Sequence, residues 1–412
     1  MPSPDLIHEW NVDAREAATD RPVIAMLDDE TLRDGLQSPS VIDPPIEAKK
    51  RILHLMDTLG IDTADVGLPG AGPRAEADVE ALCREIASSK LRIRANCAAR
   101  TVIRDIEPIV RIAEKTGIAI ETCVFIGSSP IRQYAEGWDE SFLLRQSAEA
   151  ITYAVSAGLP VMYVTEDTSR ARPDTVRALY GEAVRLGASR VCVTDTVGHA
   201  TPDGAARLIR FVGQVVRDAG GTEIGVDWHG HRDRGMGLAN SLAAYRAGAT
   251  RVHGCALGIG ERCGNTEMDL LLVNLKLLGW IDRDLRQLGE YCRVVSDAVG
   301  VPIGSNYPVV GRDAFETATG VHAAAVIKAY KKGDSWLADR IYSGVAAGEF
   351  GFAQRIRVGP MSGRSNVSWW LEERGIEATE ERVDRIFQAA KGSDRLLEDD
   401  EILRLLDGRE SR

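Results

Sequence analysis

Three observations predict a (β/α)8 barrel, eight parallel strands each followed by a helix. Between Arg21 and about Gly279, short apolar segments alternate with longer amphipathic ones. Several amphipathic stretches stop at a glycine just before the next apolar segment, at Gly60, Gly117, Gly158, Gly187 and Gly248. Polar residues gather where the apolar segments end, the rim on which such barrels build their sites.

In chain order, the strand-like segments are Val23–Leu27, Thr63–Gly67, Leu91–Asn96, Ile118–Ile126, Pro160–Val164, Arg190–Thr194, Glu223–Trp228 and Thr250–Ala256. The stretches between them have helical periodicity, as in Ile52, Leu55, Met56 and Leu59 at i, i+3, i+4, i+7. A doubly wound open sheet would need a Gly-rich turn after its first strand, and DDETLRDG is not GxGxxG. Beyond Gly279 the pattern changes. Leu285–Val299 reads as a helix, Val301–Gly311 as a linker, Ala314–Lys331 and Ser335–Val345 as helices, and Gln354–Val358 as an extended piece. A last helix carries Val383, Ile386, Phe387 and Ala390, and a charged, loose tail follows Lys391. The expected organisation is an N-terminal arm (1–20), a catalytic barrel (21–280), a linker with a first helical subdomain (281–334), and a second helical subdomain with the tail (335–412).

The composition excludes several classes of function. At 412 residues the chain can bury a large core. No apolar run approaches the roughly 18 residues a membrane span needs. The acidic, polar start lacks the basic and apolar pattern of a secretory signal. Net charge is −11 with no basic tract, so nucleic acid is a poor partner. Seven cysteines without a CxxC pair argue against a disulfide framework or thiolate zinc site and for a reducing, cytoplasmic setting.

The rim residues carry the chemistry. Arg33 and Asp34 follow the first strand, Arg100 the third, Ser128, Ser129 and Arg132 the fourth, and Glu166 and Asp167 the fifth. Asp195 and Thr196 follow the sixth, His229 and His231 end the seventh, and Glu261, Arg262 and Asn265 follow the eighth. His229 and His231 are two apart in a strand, so both imidazoles point to one side and can reach one ion. Such pairs are often merely structural, but Asp34 on the same rim makes a carboxylate–imidazole set with open positions, as a catalytic divalent ion (Mg, Mn or Zn) requires. Asn265 could add an oxygen ligand or simply stabilise its turn. Asp227 and Asp233 could orient the two rings or be ordinary surface groups. Arg33 is a fixed cation suited to a developing oxyanion; a salt bridge to Asp29 or Glu30 is the plainer alternative. Glu166 is a candidate general base, or a helix cap or structural ion pair. Gly258 and Gly260 in GIGERCGN could cradle a cofactor pyrophosphate or serve close backbone packing. By itself, His322 reads as a packed or surface histidine.

Together, LDDETLRDGLQ, VTEDTSR, TDTVGHATP, WHGHRDRGMGLANSLAAYRAGA and GIGERCGN resemble, in order and spacing, the DRE-TIM metallolyase superfamily, in its Claisen-condensing branch of 2-isopropylmalate, homocitrate and citramalate synthases. The resemblance runs from about Val23 to Leu278 and continues more weakly through VVGRDAFETATGVHAAAV and RIRVGPMSGRSNV. It implies condensation of acetyl-CoA with a 2-oxo acid at a divalent metal, giving a 2-substituted malate and CoA. Carried over by motif, it implies Asp34, His229, His231 and Asn265 as metal ligands, Arg33 as catalytic arginine and Glu166 as base. It also implies that Thr196 contacts the oxo acid carboxylate, while Arg100 and Arg132, by their place at strand ends, are read as further substrate contacts. His322, with Tyr342, enters the site of a partner subunit, so a homodimer with exchanged subdomains is implied. The chain departs from the family at Leu36, where RDGEQ is usual, and at Arg232-Asp233-Arg234 after the metal histidines. It also departs at Arg132, a histidine in isopropylmalate synthases, and at Met162-Tyr163, where homocitrate synthases carry an arginine. Those two positions point opposite ways on whether the substrate has a second carboxylate. The chain also ends too soon for the leucine-sensing domain of long isopropylmalate synthases, so no feedback inhibition by leucine is expected. A lyase of the same superfamily would use a cysteine such as Cys263, and a non-catalytic barrel would hold no metal.

Overall fold

The computed structural model describes residues 6–8, 10–11 and 25–406. The expected N-terminal arm (1–20), Val23 at the head of the first predicted strand and residues 407–412 of the tail lie outside the described residues, apart from those few near the start. The chain divides into two compact units, one ending at Pro302 and the other running from Ile303.

The first unit is a closed barrel of parallel strands in sequential order. The strands are β1 (Met26–Asp29), β2 (Thr63–Asp65), β3 (Arg94–Arg100), β4 (Glu121–Gly127), β5 (Val161–Glu166), β6 (Arg190–Asp195), β7 (Gly225–Gly230) and β8 (Arg251–Gly254). β1 closes the cylinder on β8, with Met26 opposite Arg251 and Asp29 opposite Gly254. Every predicted strand forms, but several run further towards the rim than predicted. Glu166 still pairs with Gly127 and His229 with Thr194. The apolar signal stops before the ladder does, because backbone pairing needs no apolar side chain.

The helices between strands are α1 (Ile46–Thr58), α2 (Pro73–Ser89), α3 (Ile103–Thr116), α4 (Pro130–Glu136), α5 (Glu140–Ser156), α6 (Pro173–Arg185), α7 (Pro202–Asp218), α8 (Gly237–Arg246) and α9 (Met268–Leu277). α7 shows how the sequence sets one. Thr201 caps it by accepting from the Gly204 amide, a contact worth about 1 kcal/mol, and Pro202 opens it. Its core face buries Ala205, Ile209, Val212, Val215 and Val216. A further helix, α10 (Leu288–Val299), buries Leu288, Tyr291, Cys292, Val295 and Val299. The Tyr291 hydroxyl donates to buried Asp29 at the end of β1. That anchoring carries the barrel unit to Pro302, past the boundary expected at 280.

The barrel interior is layered. Near the strand starts, Asp28 accepts from Asn96 Nδ2 at 2.6 Å and Arg251 Nη1 donates to Thr63 Oγ1 at 3.3 Å. These bonds join strands that are not neighbours in the sheet, so they cross the cylinder. Arg251 is 1 % exposed and binds Asp227 at 2.6 Å and Glu121 at 2.5 Å. An ionic layer thus closes the floor beneath the rim. Six cysteines are buried as small apolar groups and Cys263 is exposed.

The second unit contains a two-stranded parallel sheet, β9 (Glu316–Thr317) with β10 (Arg355–Ile356). Its helices are α11 (Gly320–Lys331), α12 (Ser335–Arg340), α13 (Arg364–Glu373), α14 (Glu380–Gly392) and α15 (Asp399–Leu406). α13 was not predicted, and the tail expected to be loose instead forms α15. Ile402 of α15 is buried with Trp370, Val383 and Ile386, and Asp399 accepts from Trp370 Nε1 at 2.9 Å. Among the described residues, no helix is long and apolar enough to cross a membrane.

Candidate active site

Alternate strand residues point inward and, with the loops after them, line a cavity of about 230 Å3 at the rim. The lining has two faces. β7, β8 and the segment after β1 contribute polar groups, namely His229, His231, His253, Glu30, Arg33 and Asp34. The strands from β3 to β6 contribute Ala98, Cys123, Phe125, Met162, Val164 and Cys192. Glu166, Thr194 and Thr196 stand higher on the latter side.

Asp34, His229 and His231 converge as the sequence suggested. Asp34 Oδ2 lies 3.9 Å from His229 Nε2 and 3.8 Å from His231 Nε2. Those separations are too long for hydrogen bonds. They suit donors sharing one cation with bonds of about 2.1 Å. The ligand atoms of all three residues lie within 4.8 Å of one another. Asn265 donates to Asp34 Oδ1 at 2.7 Å, and its buried Oδ1, like His231 Nδ1, has no hydrogen-bond partner among the described residues. The donor set and the orphaned Asn265 oxygen fit a divalent ion.

Electrostatics favour the same reading. Burial pulls His229 down to about 3 and His231 to about 4; nearby His253 and Arg33 add to the first and His229 to the second, against Asp34. Both rings are therefore neutral with lone pairs available near pH 7. Burial tends to raise Asp34, but Arg33, the two imidazoles and the Asn265 bond together hold its carboxyl well below the usual range. Arg33 binds Asp65 through Nε at 2.7 Å, Asp34 through Nη1 at 3.0 Å and Glu30 through Nη2. The salt bridge considered from sequence is thus present with Glu30, alongside two others. Asp65 is raised to about 6 by burial, against the pull of Arg33 and helped by Asp28.

A hydrogen-bonded line supports His229 from behind. Glu30 Oε1 lies 3.0 Å from His229 Nδ1 and 2.6 Å from His253 Nδ1. His253 Nε2 faces Asp227 Oδ2 at 3.1 Å, and Asp227 is held by Arg251 and Arg190. With Nδ1 engaged, His229 presents Nε2 to Asp34. Asp227 and Asp233 do not orient the two rim rings themselves. Asp227 binds the arginines and His253, and Asp233 pairs with Arg262 at 2.9 Å.

Glu166 ends β5 and projects towards the cavity. Among the described residues it caps no helix, and its near cation is Arg132, 4.0 Å away. Burial raises its carboxyl, opposed by Arg132 and assisted by Asp167, Glu261 and Glu136. Thr196 also lines the cavity, where its Oγ1 accepts from the Asp167 amide at 2.8 Å.

Other candidates are placed elsewhere. Arg100 forms a two-pronged bridge to Asp105 at 2.6 and 3.0 Å and does not line the cavity. Arg132 binds Glu136 at 2.9 Å, lies over the Trp138 ring and is also outside the lining. The glycines of GIGERCGN are accounted for by packing. A Cβ on Gly260 would fall 2.1 Å from Asn265 Nδ2, and one on Gly258 would fall 2.7 Å from the Arg232 guanidinium. His322 and Tyr342 stack with centroids 4.3 Å apart in the second unit, both exposed. Sequence reasoning missed Asp65 and His253 as cavity residues and treated Glu30 only as a partner for Arg33. Parity with Thr63 and Arg251 was the available signal for Asp65 and His253.

The closed α/β barrel thus carries a candidate metal site, a carboxylate–imidazole cluster with a glutamate on the same rim. The HMGL-like family model matches residues 25–295. A probable 2-isopropylmalate synthase of Methanopyrus kandleri is 36% identical over 368 residues, covering 88% of this chain and 68% of that protein. Homocitrate synthase AksA of the same organism is 34% identical, over 90% of this chain and 88% of that protein. In fold, the barrel is similar to an HMG-CoA lyase from Brucella melitensis (TM-score 0.56, 18% identity, 66% of this chain and 98% of that one). The chain belongs to the HMGL-like (DRE-TIM) family, among its acetyl-CoA-condensing synthases.

Proposed function

We propose that the protein condenses acetyl-CoA with a 2-oxo acid to give a 2-substituted malate and CoA, as a 2-isopropylmalate synthase does. The convergence of Asp34, His229 and His231 opposite Glu166 in one cavity carries this reading. A divalent ion held by these three residues and Asn265 supplies Lewis acidity to the ketone of the oxo acid when bound. Glu166, its carboxyl raised by burial, takes a proton from the acetyl methyl. The methyl carbon then bonds to C2 of the oxo acid, and charge moves to the former ketone oxygen, which is finally protonated as Glu166 gives up the proton it took. Arg33, already fixed by three carboxylates, stabilises that charge without reorganising. Thr196 orients the oxo acid carboxylate. Water finally cleaves the thioester and releases the CoA thiol. His322 and Tyr342 are assigned to the site of a second copy of the chain. Cys263, which a lyase reading would need, is exposed and outside the cavity lining.

The test is free-thiol release from acetyl-CoA with Mg²⁺ or Mn²⁺ and a panel of 2-oxo acids. Glu166→Gln should lose about 10²- to 10⁴-fold in kcat with Mn²⁺ binding intact. Metal binding without thiol release across the panel would remove the synthase reading.

A further inference from the structure

We infer that the oxo acid taken by this cavity is a small monocarboxylate with an apolar side chain, and that a second carboxylate is excluded; the inference rests on the synthase reading above. β7, β8 and β1 are contiguous in the closed barrel, and β3 to β6 form the facing arc. An oxo acid with its ketone at the polar arc and its carboxylate held at the upper rim by Thr196 directs C3 and beyond at the lower wall of the other arc. That arc is a soft apolar wall, in which Cys123, Met162 and Cys192 cluster with Val164 beside them. A carboxylate placed there would be desolvated and would need a cation.

Among the described residues, no cation lines that wall. Arg33 is the one lysine or arginine among the described lining residues; it stands on the polar arc, where the synthase reading assigns it to the ketone oxygen, and not at the wall. Arg132, the residue whose sequence position suggested an extra anion site, lies outside the lining, paired with Glu136 and over the Trp138 ring, and approaches the cavity only at Glu166 on its upper edge, 4.0 Å away. Arg251 lies beneath the wall, 3.1 Å from the Met162 sulfur, with its charge taken by Asp227 and Glu121. The acetyl group must enter the same cavity as the side chain, which favours a short one.

The test titrates Mn²⁺-loaded protein calorimetrically with 2-oxobutanoate, 3-methyl-2-oxobutanoate, 2-oxoglutarate and oxaloacetate, and follows thiol release with each. The apolar acids should bind at least about 100-fold tighter than the dicarboxylates. Val164→Ala should shift preference about tenfold towards the longer-chain acid, and Val164→Phe should shift it the other way. Equal or tighter binding of a dicarboxylate overturns the inference, and thiol release with dicarboxylates alone does so while leaving the synthase reading standing. Binding in the expected order without thiol release keeps the cavity assignment and removes the synthase reading. No binding by any acid removes both. Unchanged preference in both Val164 variants removes the wall from the site.

Discussion

Replacing Glu30 by glutamine changes almost no volume and tests whether the line behind His229 sets metal affinity. Glu30 is 3 % exposed, and its two oxygens meet three donors: His229, His253 and Arg33. Glutamine offers one acceptor and one amine. If its oxygen faces the imidazoles, the amine confronts the Arg33 guanidinium; if it turns over, the amine confronts both rings. Either way a charge-assisted bond worth about 1.5–3 kcal/mol is lost. Partners of this kind behind a metal histidine are worth about 10- to 100-fold in affinity, or about 1.4–2.8 kcal/mol. Glu30→Gln should therefore weaken Mn²⁺ binding to chelator-treated protein by about 10- to 100-fold, read by isothermal titration calorimetry. Thermal melting of the metal-free protein serves as the control for folding. A Mn²⁺ Kd within about threefold of wild type, with the fold intact, would refute the claim that Glu30 fixes His229 for an ion.

The other predictions concern the scaffold and assembly. Burial raises Asp29 to about 6, against bonds from Thr31 and Tyr291, so its contribution to stability is full below about pH 3.8 and is lost as pH rises through about 6. Asp29→Asn should abolish that fall, and the difference between variant and wild-type stability curves should grow by about 2.4 kcal/mol from pH 4 to pH 7. A pH-independent difference would contradict the burial argument. Arg251→Met leaves Asp227 and Glu121 without their shared cation in the floor and should cost about 3–5 kcal/mol in urea unfolding; a change below about 1 kcal/mol would show the layer has relaxed around the gap. If His322 serves a second copy, inactive His322→Ala and Arg33→Ala chains, unfolded and refolded together, should recover about a quarter of wild-type activity through mixed dimers. Recovery no greater than that of either variant alone would remove the exchange.

Much of the barrel was legible because its signals are local. Apolar runs such as Val191–Val193 and glycine stops such as Gly117 need no tertiary information. The rim phase also placed Asp34, His229 and His231 together, because strand parity and barrel closure leave few alternatives. What could not be read was which polar groups go inside. Glu30, Asp65 and His253 are polar residues that a single sequence cannot distinguish from surface groups. Only closure of β1 on β8 brings Glu30 against His253 and His229. Asp227 has the parity of His229, but charge pairing with Arg251 decides its partner. Arg100 and Arg132 stood at the expected rim positions, yet each found a nearer carboxylate in the helix that follows. Helix α13 escaped notice because its buried residues (Asn366, Val367, Trp370 and Leu371) include a polar one, which blurs the amphipathic pattern.

The two-faced cavity has a handedness. On the proposed reading, an oxo acid held by its oxygens at one arc, with its alkyl group against the other and Glu166 as proton acceptor, would meet three unlike anchors around its flat ketone carbon. Only one prochiral face then meets the incoming carbon nucleophile, so the product should leave as a single enantiomer. Thinning the sulfur-rich wall would let the ketone turn over, and optical purity would fall before turnover does.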